Sequence, residues 1–365
     1  VNLPAGSAGD VVAIKDYAGT FNTNAVTLVQ NGSDKIGGST NNATLGTEGI
    51  AVTLVFVDAT QGWLVTDDGL QSQAVTNPNI IATGGTITTC GNFKIHTFTG
   101  PGTFTVCKVS CTAANNTVGY QVVAGGGGGG GGNGGSWAGG GGGAGGYREG
   151  RNVPVDNFTA SPLVANAPTN AITVTVGAIP ITVGAGGAGS ACTGTTPGTQ
   201  GATSTFSSIT SAGGGGGGAS AGPGSAGGTG GSGGGGGSSC SACRPGGAGN
   251  TPPVSPAQGF AGGNSSNGHQ PASGGGGATA VGTNSTPGSG NPRAGGAGAT
   301  SSISGSPVTK SVGGASGNHP NPSPVADGGA NTGTGGQGNG GSGGSSPRAG
   351  GTGGSGIVVI RYKFQ

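Results

Sequence analysis

The side chains able to do chemistry are few and scattered. Six cysteines (Cys90, Cys107, Cys111, Cys192, Cys240 and Cys243), three histidines and ten carboxylates are spread over 365 residues. Cys240-Ser-Ala-Cys243 has the spacing of half a zinc site, which requires two more ligands at short spacing. The downstream histidines, His269 and His319, stand too far apart to supply them. A redox reading of the same pair lacks the βαβ pattern that accompanies such motifs. An even number of cysteines in a loop-rich chain of low charge suits an oxidising, extracellular setting. Cys107/Cys111 and Cys240/Cys243 are close enough to close local staples, and the pairing stays open.

The carboxylates do not assemble a catalytic pair either. Seven of the ten lie in residues 1–120. Asp67-Asp68 reads as a solvated turn before Gly69. Glycoside hydrolysis needs two carboxylates facing each other across a cleft, yet the rest of the chain holds only Glu149, Asp156 and Asp327. No Gly-Lys-Ser/Thr follows a glycine run, so a phosphate loop is excluded. His96 alternates with Ile95 in a β-type run, without a nucleophile or carboxylate nearby, and is expected on a strand surface. The expectation is a protein that is not an enzyme, with no metal and no cofactor.

Composition points to architecture instead. Glycine supplies 95 residues, charged residues 6% and aromatics 4%, far from an ordinary globular domain. A net charge of +2 without basic clustering offers no footprint for nucleic acid. No apolar run approaches the roughly 20 residues of a membrane span. Glycine is concentrated beyond Tyr120: residues 1–120 hold 16 and the remaining 245 hold 79.

Before that boundary the chain reads as β-structure. Val11–Lys15, Val26–Val29, Val52–Val57 and Trp63–Val65 are short β-branched or aromatic runs separated by Gly- and Asn-rich turns. Sixty or so such residues make a thin core, which favours association. Phe93–Phe98 and Thr103–Lys108 flank Gly100-Pro101-Gly102 and suggest a hairpin. The sequence thus divides into a small β-module over 1–75, a β-hairpin connector over 76–120, and a glycine-rich domain over 121–365 with a terminal strand at 356–363.

Val118–Val123 runs straight into glycine, and Ile357–Tyr362 leaves it as another strand. These two could pair and clamp everything between them. Collagen is excluded, because runs such as Gly125–Gly132 keep no Gly-X-Y register. A flexible linker is the alternative for Gly/Ser-rich sequence. The flanking strands, and the Pro, Asn and small apolar residues that punctuate the runs, favour a stack of polyproline-II helices. That conformation makes no internal hydrogen bonds, so bare glycine backbones can bond to one another.

The order of these features resembles bacteriophage tail fibres. Asp10–Asp16, Asn24–Leu28, Asn31-Gly32-Ser33, Val52–Val57 and Gly62–Val65 are similar to a small β-module of tail fibres and tailspikes. Ala124–Gly150, Ala171–Gly177, Ile181–Gly189, Gly201–Phe206 with Ala212–Gly214, and Gly353–Tyr362 resemble the glycine-rich domains of phage fibres. The resemblance implies all-β front modules followed by a polyproline-II helix sandwich clamped by β-strands, with essentially no α-helix. It further implies a virion-surface homotrimer contacting other tail or fibre proteins and a host receptor, either a glycan or an outer-membrane protein. The alternative is a passive fibre or capsid-surface filament. Aromatic and basic residues interrupting the glycine runs are the candidate receptor contacts: Trp137, Tyr147, Arg148, Phe260, His269, Arg293 and His319. They offer stacking and bidentate hydrogen bonding.

Overall fold

A computed structural model describes residues 1–70, 79–110, 113–133, 137–153, 155–165, 170–191, 196–220, 225–238, 243–266, 272–288, 291–318, 325–341 and 348–365. Its regular elements are β-strands and a single 3-10 turn at Ala113–Asn115; no α-helix occurs among the described residues. Two compact units divide the chain, Val1–Asn77 and Pro78–Gln365.

In the first unit, β1 (Val11–Lys15), β4 (Ile50–Asp58) and β5 (Gly62–Leu70) form an antiparallel sheet in the order β1-β4-β5, and β2 (Val26–Leu28) pairs with β3 (Ala43–Leu45). Period-two alternation buries Val52, Leu54 and Phe56 with Trp63, Leu3 and Leu28. Asp67 and Asp68 are exposed within β5 and lie opposite Thr53 and Val52. The turn expected there is therefore strand, because pairing with β4 continues through a bulge past Val65.

The second unit has two larger sheets. One orders β11 (Tyr147–Gly150), β10 (Thr117–Val123), β18 (Ile357–Lys363), β8 (Phe93–Phe98) and β7 (Thr86–Cys90), with β12 (Ile172–Thr173) also on β10. The other orders β15 (Ile209–Ser211), β14 (Ser204–Phe206), β13 (Gly177–Thr182), β9 (Gly102–Lys108) and β6 (Ile81–Thr83). A small hairpin joins β16 (Ala299–Ser301) to β17 (Val308–Lys310). The clamp inferred from sequence is present: Val122 lies opposite Val358 and Tyr120 opposite Ile360 in an antiparallel pair.

Within 76–120, β7 and β8 form a hairpin across Gly91-Asn92, but Phe93–Phe98 does not pair with Thr103–Lys108 as the sequence suggested. β8 pairs with β7 and β18, while β9 pairs with β6 and β13, so the two runs enter different sheets. Both carry large apolar side chains, and these meet across the core: Phe98 and Phe104 share one cluster with Phe206, Ile360 and Tyr362. Burying two faces against each other wins over edge pairing, and these residues join the glycine-rich unit. His96 is correspondingly buried rather than on a surface. It is 0% exposed, stacks on Tyr362 at 5.5 Å and meets the edge of Phe104 at 5.0 Å.

Beyond the strands the backbone runs in short straight segments that bond to one another with a period of three. In the segment 124–132, the N–H groups of Gly125 and Gly128 donate to Ala202 and Thr199, those of Gly126 and Gly129 to Gly354 and Gly351, and those of Gly127 and Gly130 to Gly143 and Gly140. Its carbonyls accept with the same period. Gly214 and Gly217 donate to Gly125 and Gly128, Gly187 and Ser190 to Gly126 and Gly129, and Gly336 and Asn339 to Gly127 and Gly130. Six other segments therefore enclose this one, every bond lying at 2.8–3.0 Å. Segments 138–146, 232–238 and 272–278 are enclosed in the same way.

This arrangement explains the glycine pattern. An enclosed segment has no direction open to a side chain, so it must be nearly pure glycine, as in Gly125–Gly132 and Gly233–Gly237. A peripheral segment needs glycine only where it faces inward. Along 184–190 burial repeats every three residues: Gly184, Gly187 and Ser190 are buried, while Ala185 and Ala188 are exposed. A Cβ on Gly128 would overlap the Ala188 carbonyl, and one on Gly216 the Gly198 carbonyl.

Hydrogen bonds alone do not hold such a lattice. Each contributes about 1 kcal/mol net, against about 1–2 kcal/mol to fix each backbone residue, and glycine loses the most freedom. Burial at one end supplies the difference. Val122, Val358, Ile360, Phe104 and Phe206 make one cluster, and Val123, Tyr147, Ile357, Val359 and Phe158 another.

Candidate binding end of the glycine lattice

The segments share two ends. At one, chain after chain passes into a strand: 124 follows β10, 146 precedes β11, 183 follows β13, 203 precedes β14, 212 follows β15 and 356 precedes β18. Ala124 bonds to Gly146, Gly146 to Ala212, and Gly356 to Gly184, which places these junctions side by side. At the other end stand the residues bordering 134–136, 192–195, 221–224, 239–242, 267–271, 289–290, 319–324 and 342–347. Gly132 exchanges hydrogen bonds with Arg348, Gly341 bonds to Trp137, Gly317 to Gly139, Ser238 to Ala138 and Ser220 to Gly131.

Three arginines sit at this end in one local construction. The Arg348 N–H donates to the Gly132 carbonyl (3.0 Å), and Gly132 donates back at 3.2 Å. Ser316 holds Arg293 through its Oγ (2.8 Å) and its N–H (2.9 Å), and Ser265 holds Arg244 at 3.1 and 2.8 Å. Main-chain bonds fix each Cα while leaving the guanidinium free of any partner among the described residues. Nε of Arg244 and of Arg293 is buried without a hydrogen bond.

The sequence-derived site residues separate into four groups. Trp137 and Arg293 lie at this end, both half-buried. Phe260 is 37% exposed; its main chain is part of the lattice, donating to Gly277 and accepting from Gly233. Tyr147 and Arg148 belong instead to β11 at the strand end. Tyr147 is 1% exposed, and its hydroxyl accepts from Gln121 Nε2 at 2.8 Å; burial, reinforced by Glu149, pushes its pKa up. It is a core residue because β11 is covered on the side where the chain re-enters the sheet. His269 and His319 lie outside the described residues, as do Cys111, Cys192 and Cys240. Cys90, Cys107 and Cys243 form no disulfide. Arg244 had no distinguishing neighbour in the sequence. A signal for Arg293 and Arg348 was there in the repeated Pro-Arg-Ala-Gly-Gly at 292–296 and 347–351.

Three further titratable groups of this unit, His96, Glu149 and Asp156, are buried in its packing. His96 Nδ1 pairs with the Gly84 carbonyl at 2.7 Å and Nε2 with the Tyr362 hydroxyl at 3.2 Å, and burial lowers its pKa, keeping it neutral. Glu149 accepts from the Ser161 N–H (2.7 Å) and the Ser301 hydroxyl, and burial raises its pKa. Asp156 accepts from the Asn152 N–H at 2.7 Å, and burial raises its pKa to about 6. No group of three His, Cys, Asp or Glu side chains converges on a metal position among the described residues.

A family profile described as a glycine-rich domain matches residues 98–363, and the chain belongs to that family. No curated protein matches the chain.

Proposed function

We propose that this chain is a distal segment of a bacteriophage tail fibre, displayed on the virion surface, in which a glycine lattice presents a host-receptor-binding end. The lattice segments are read as polyproline-II helices, since bonding exclusively to other segments with a three-residue period is what that conformation permits. The observation that carries the functional reading is that the lattice interior excludes side chains, while residues with side chains stand at its end remote from the sheets. Trp137 and Arg293, residues with recognisable side chains, lie at the end remote from the sheets, both half-buried. Enclosed glycines have no side chain with which to discriminate a partner. Segments joining them at one end can vary without disturbing the lattice, which suits a surface under selection for specificity.

In this reading the protein is not an enzyme. It works as an adhesin towards a surface glycan or an outer-membrane protein, and joins other tail proteins as a homotrimer. Several fibres engaging one cell make weak individual contacts sufficient. The test replaces residues 260–270, and separately 318–324, by Gly/Ser of equal length and measures phage adsorption to host cells. Loss of adsorption with the lattice folded is expected. Unchanged adsorption after replacement of every such segment would favour a passive filament.

A further inference from the structure

We infer that the end of the lattice remote from the sheets binds an anionic polysaccharide through Arg244, Arg293 and Arg348. This rests on the reading of that end as a receptor-binding surface and supplies the chemistry of its partner.

The near-neutral whole hides two opposite charges. Residues 1–77 carry two lysines, Lys15 and Lys35, against seven carboxylates. Residues 78–365 carry ten Lys and Arg against three carboxylates, an excess of seven positive charges. None of the three carboxylates is available to the arginine end. Glu149 is tied to Ser161 and Ser301, and Asp156 to Asn152, both beside the strands. Asp327 accepts the Thr352 N–H at 2.7 Å.

Among the described residues of this unit no carboxylate pairs with the three arginines. Their main chains are fixed by the same two-way bonding to Gly132, Ser265 and Ser316, so a ligand meets cations at set positions. The Nε atoms of Arg244 and Arg293 have no hydrogen bond, so no described group neutralises either guanidinium, and a carboxylate can engage its outer Nη end with two hydrogen bonds. The three sit on separate segments, 348–356, 293–298 and 243–249, which suits a ligand that carries several anions rather than one. A chain bearing anions at intervals is such a ligand. Around them the described bordering residues are mostly Ser, Asn, Thr, Ala and Gly, with Cys243 and Val325 besides, and Trp137 is the one aromatic among them. That surface suits sugar hydroxyls better than stacked bases, which need several aromatic platforms.

The test uses the full chain on immobilised polygalacturonate, with neutral dextran and a single-stranded DNA oligomer alongside. The R244Q/R293Q/R348Q variant is compared with K94Q/K108Q/K363Q, which removes equal charge beside the strands, and an Arg→Lys triple keeps charge but not the fork. Expected is at least a tenfold loss of polygalacturonate binding for the Arg→Gln triple, a smaller loss for Arg→Lys, and little change for the lysine variant, with thermal midpoints preserved. Equal losses in the two Gln variants, no loss in the arginine one, or equally tight arginine-dependent DNA binding would overturn the inference. The two readings fail separately. Adsorption lost on segment exchange but kept in the arginine variant removes only the anionic partner. Arginine-dependent glycan binding with adsorption indifferent to every exchange removes only the receptor role.

Discussion

Val122 and Val358 face each other across an antiparallel strand pair, although nearly all of the glycine-rich sequence lies between them. Both are fully buried, and their cluster includes Ile360, Phe104 and Tyr362. The loop closed by this pair is very long, but closure entropy grows only slowly with length, so a small apolar core can hold it. Ile360→Ala should cost roughly 2–5 kcal/mol. If the clamp holds the lattice, amide exchange should accelerate throughout 125–132 and 213–218 and not only in β18. Hydrogen exchange with mass detection reads this; acceleration confined to the strands would show that the lattice is self-supporting.

Two aspartates give the two units opposite responses to pH. Asp156 has its folded pKa raised by burial from 3.8 to about 6. The folded state therefore holds the proton more tightly, and its stability falls as pH rises from about 4 to about 6. Asp156→Asn should flatten much of that slope and raise stability at pH 7.5 by up to about 3 kcal/mol, since the amide oxygen still accepts the Asn152 N–H. Glu149, also raised, keeps the remainder of the slope. Asp16 behaves in the opposite sense. Burial pushes its pKa up, but N–H groups of Gly49, Phe21 and Thr20 outweigh it and hold the value down. Its contribution to residues 1–77 is present at neutral pH and is lost as pH falls below the ordinary carboxylate range. Thermal melts from pH 3.5 to 7.5 should show these two trends.

The small unit is expected to associate. Its core is limited to Leu3, Leu28, Val52, Leu54, Phe56 and Trp63 with a few partly buried neighbours, while Val11, Val65 and Tyr17 are 61%, 53% and 98% exposed. Sedimentation equilibrium of the full chain at micromolar concentration should return a homotrimer. A monomer would remove the tail-fibre argument for this part. Val11→Lys with Val65→Lys should weaken the trimer without unfolding the sheet, because neither side chain is in the core.

The strand clamp, and the demand for bare backbone between its strands, were readable in the sequence because each is local. Val118–Val123 and Ile357–Tyr362 are runs rich in β-branched and aromatic residues, and nothing but bare backbone packs into runs such as Gly125–Gly132. The partners of β8 and β9 were not readable. Gly100-Pro101-Gly102 signals a reversal equally well for strands that pair and for strands that stack, and only the distant β13 and β18 decide between them. Tyr147 was misplaced for a similar reason. An aromatic residue after a glycine run looks like an excursion, but here the chain has already returned to the strand end.

Glycine position offers the sharpest test of the lattice, because neighbours in sequence should behave oppositely. Gly187 and Ala188 are adjacent on a peripheral segment. Gly187 points inward, where a Cβ would overlap backbone at Thr199 and Gln200, and its N–H donates to Gly126. Ala188 points outward and is exposed, although its carbonyl accepts from Thr199. Gly187→Ala should therefore destabilise the second unit by at least about 3 kcal/mol, since neither backbone can retreat without breaking bonds to a third. Ala188→Ser should fall within about 0.5 kcal/mol of the parent. Repeating the pair one period earlier, with Gly184→Ala and Ala185→Ser, should give the same contrast, because Gly184 faces the Ala202 carbonyl. A disordered glycine linker would tolerate all four substitutions equally. Urea titration of the four variants decides the matter: two shifted midpoints and two unshifted ones, alternating along the chain, are expected, and four unshifted ones would mean that the segments do not pack.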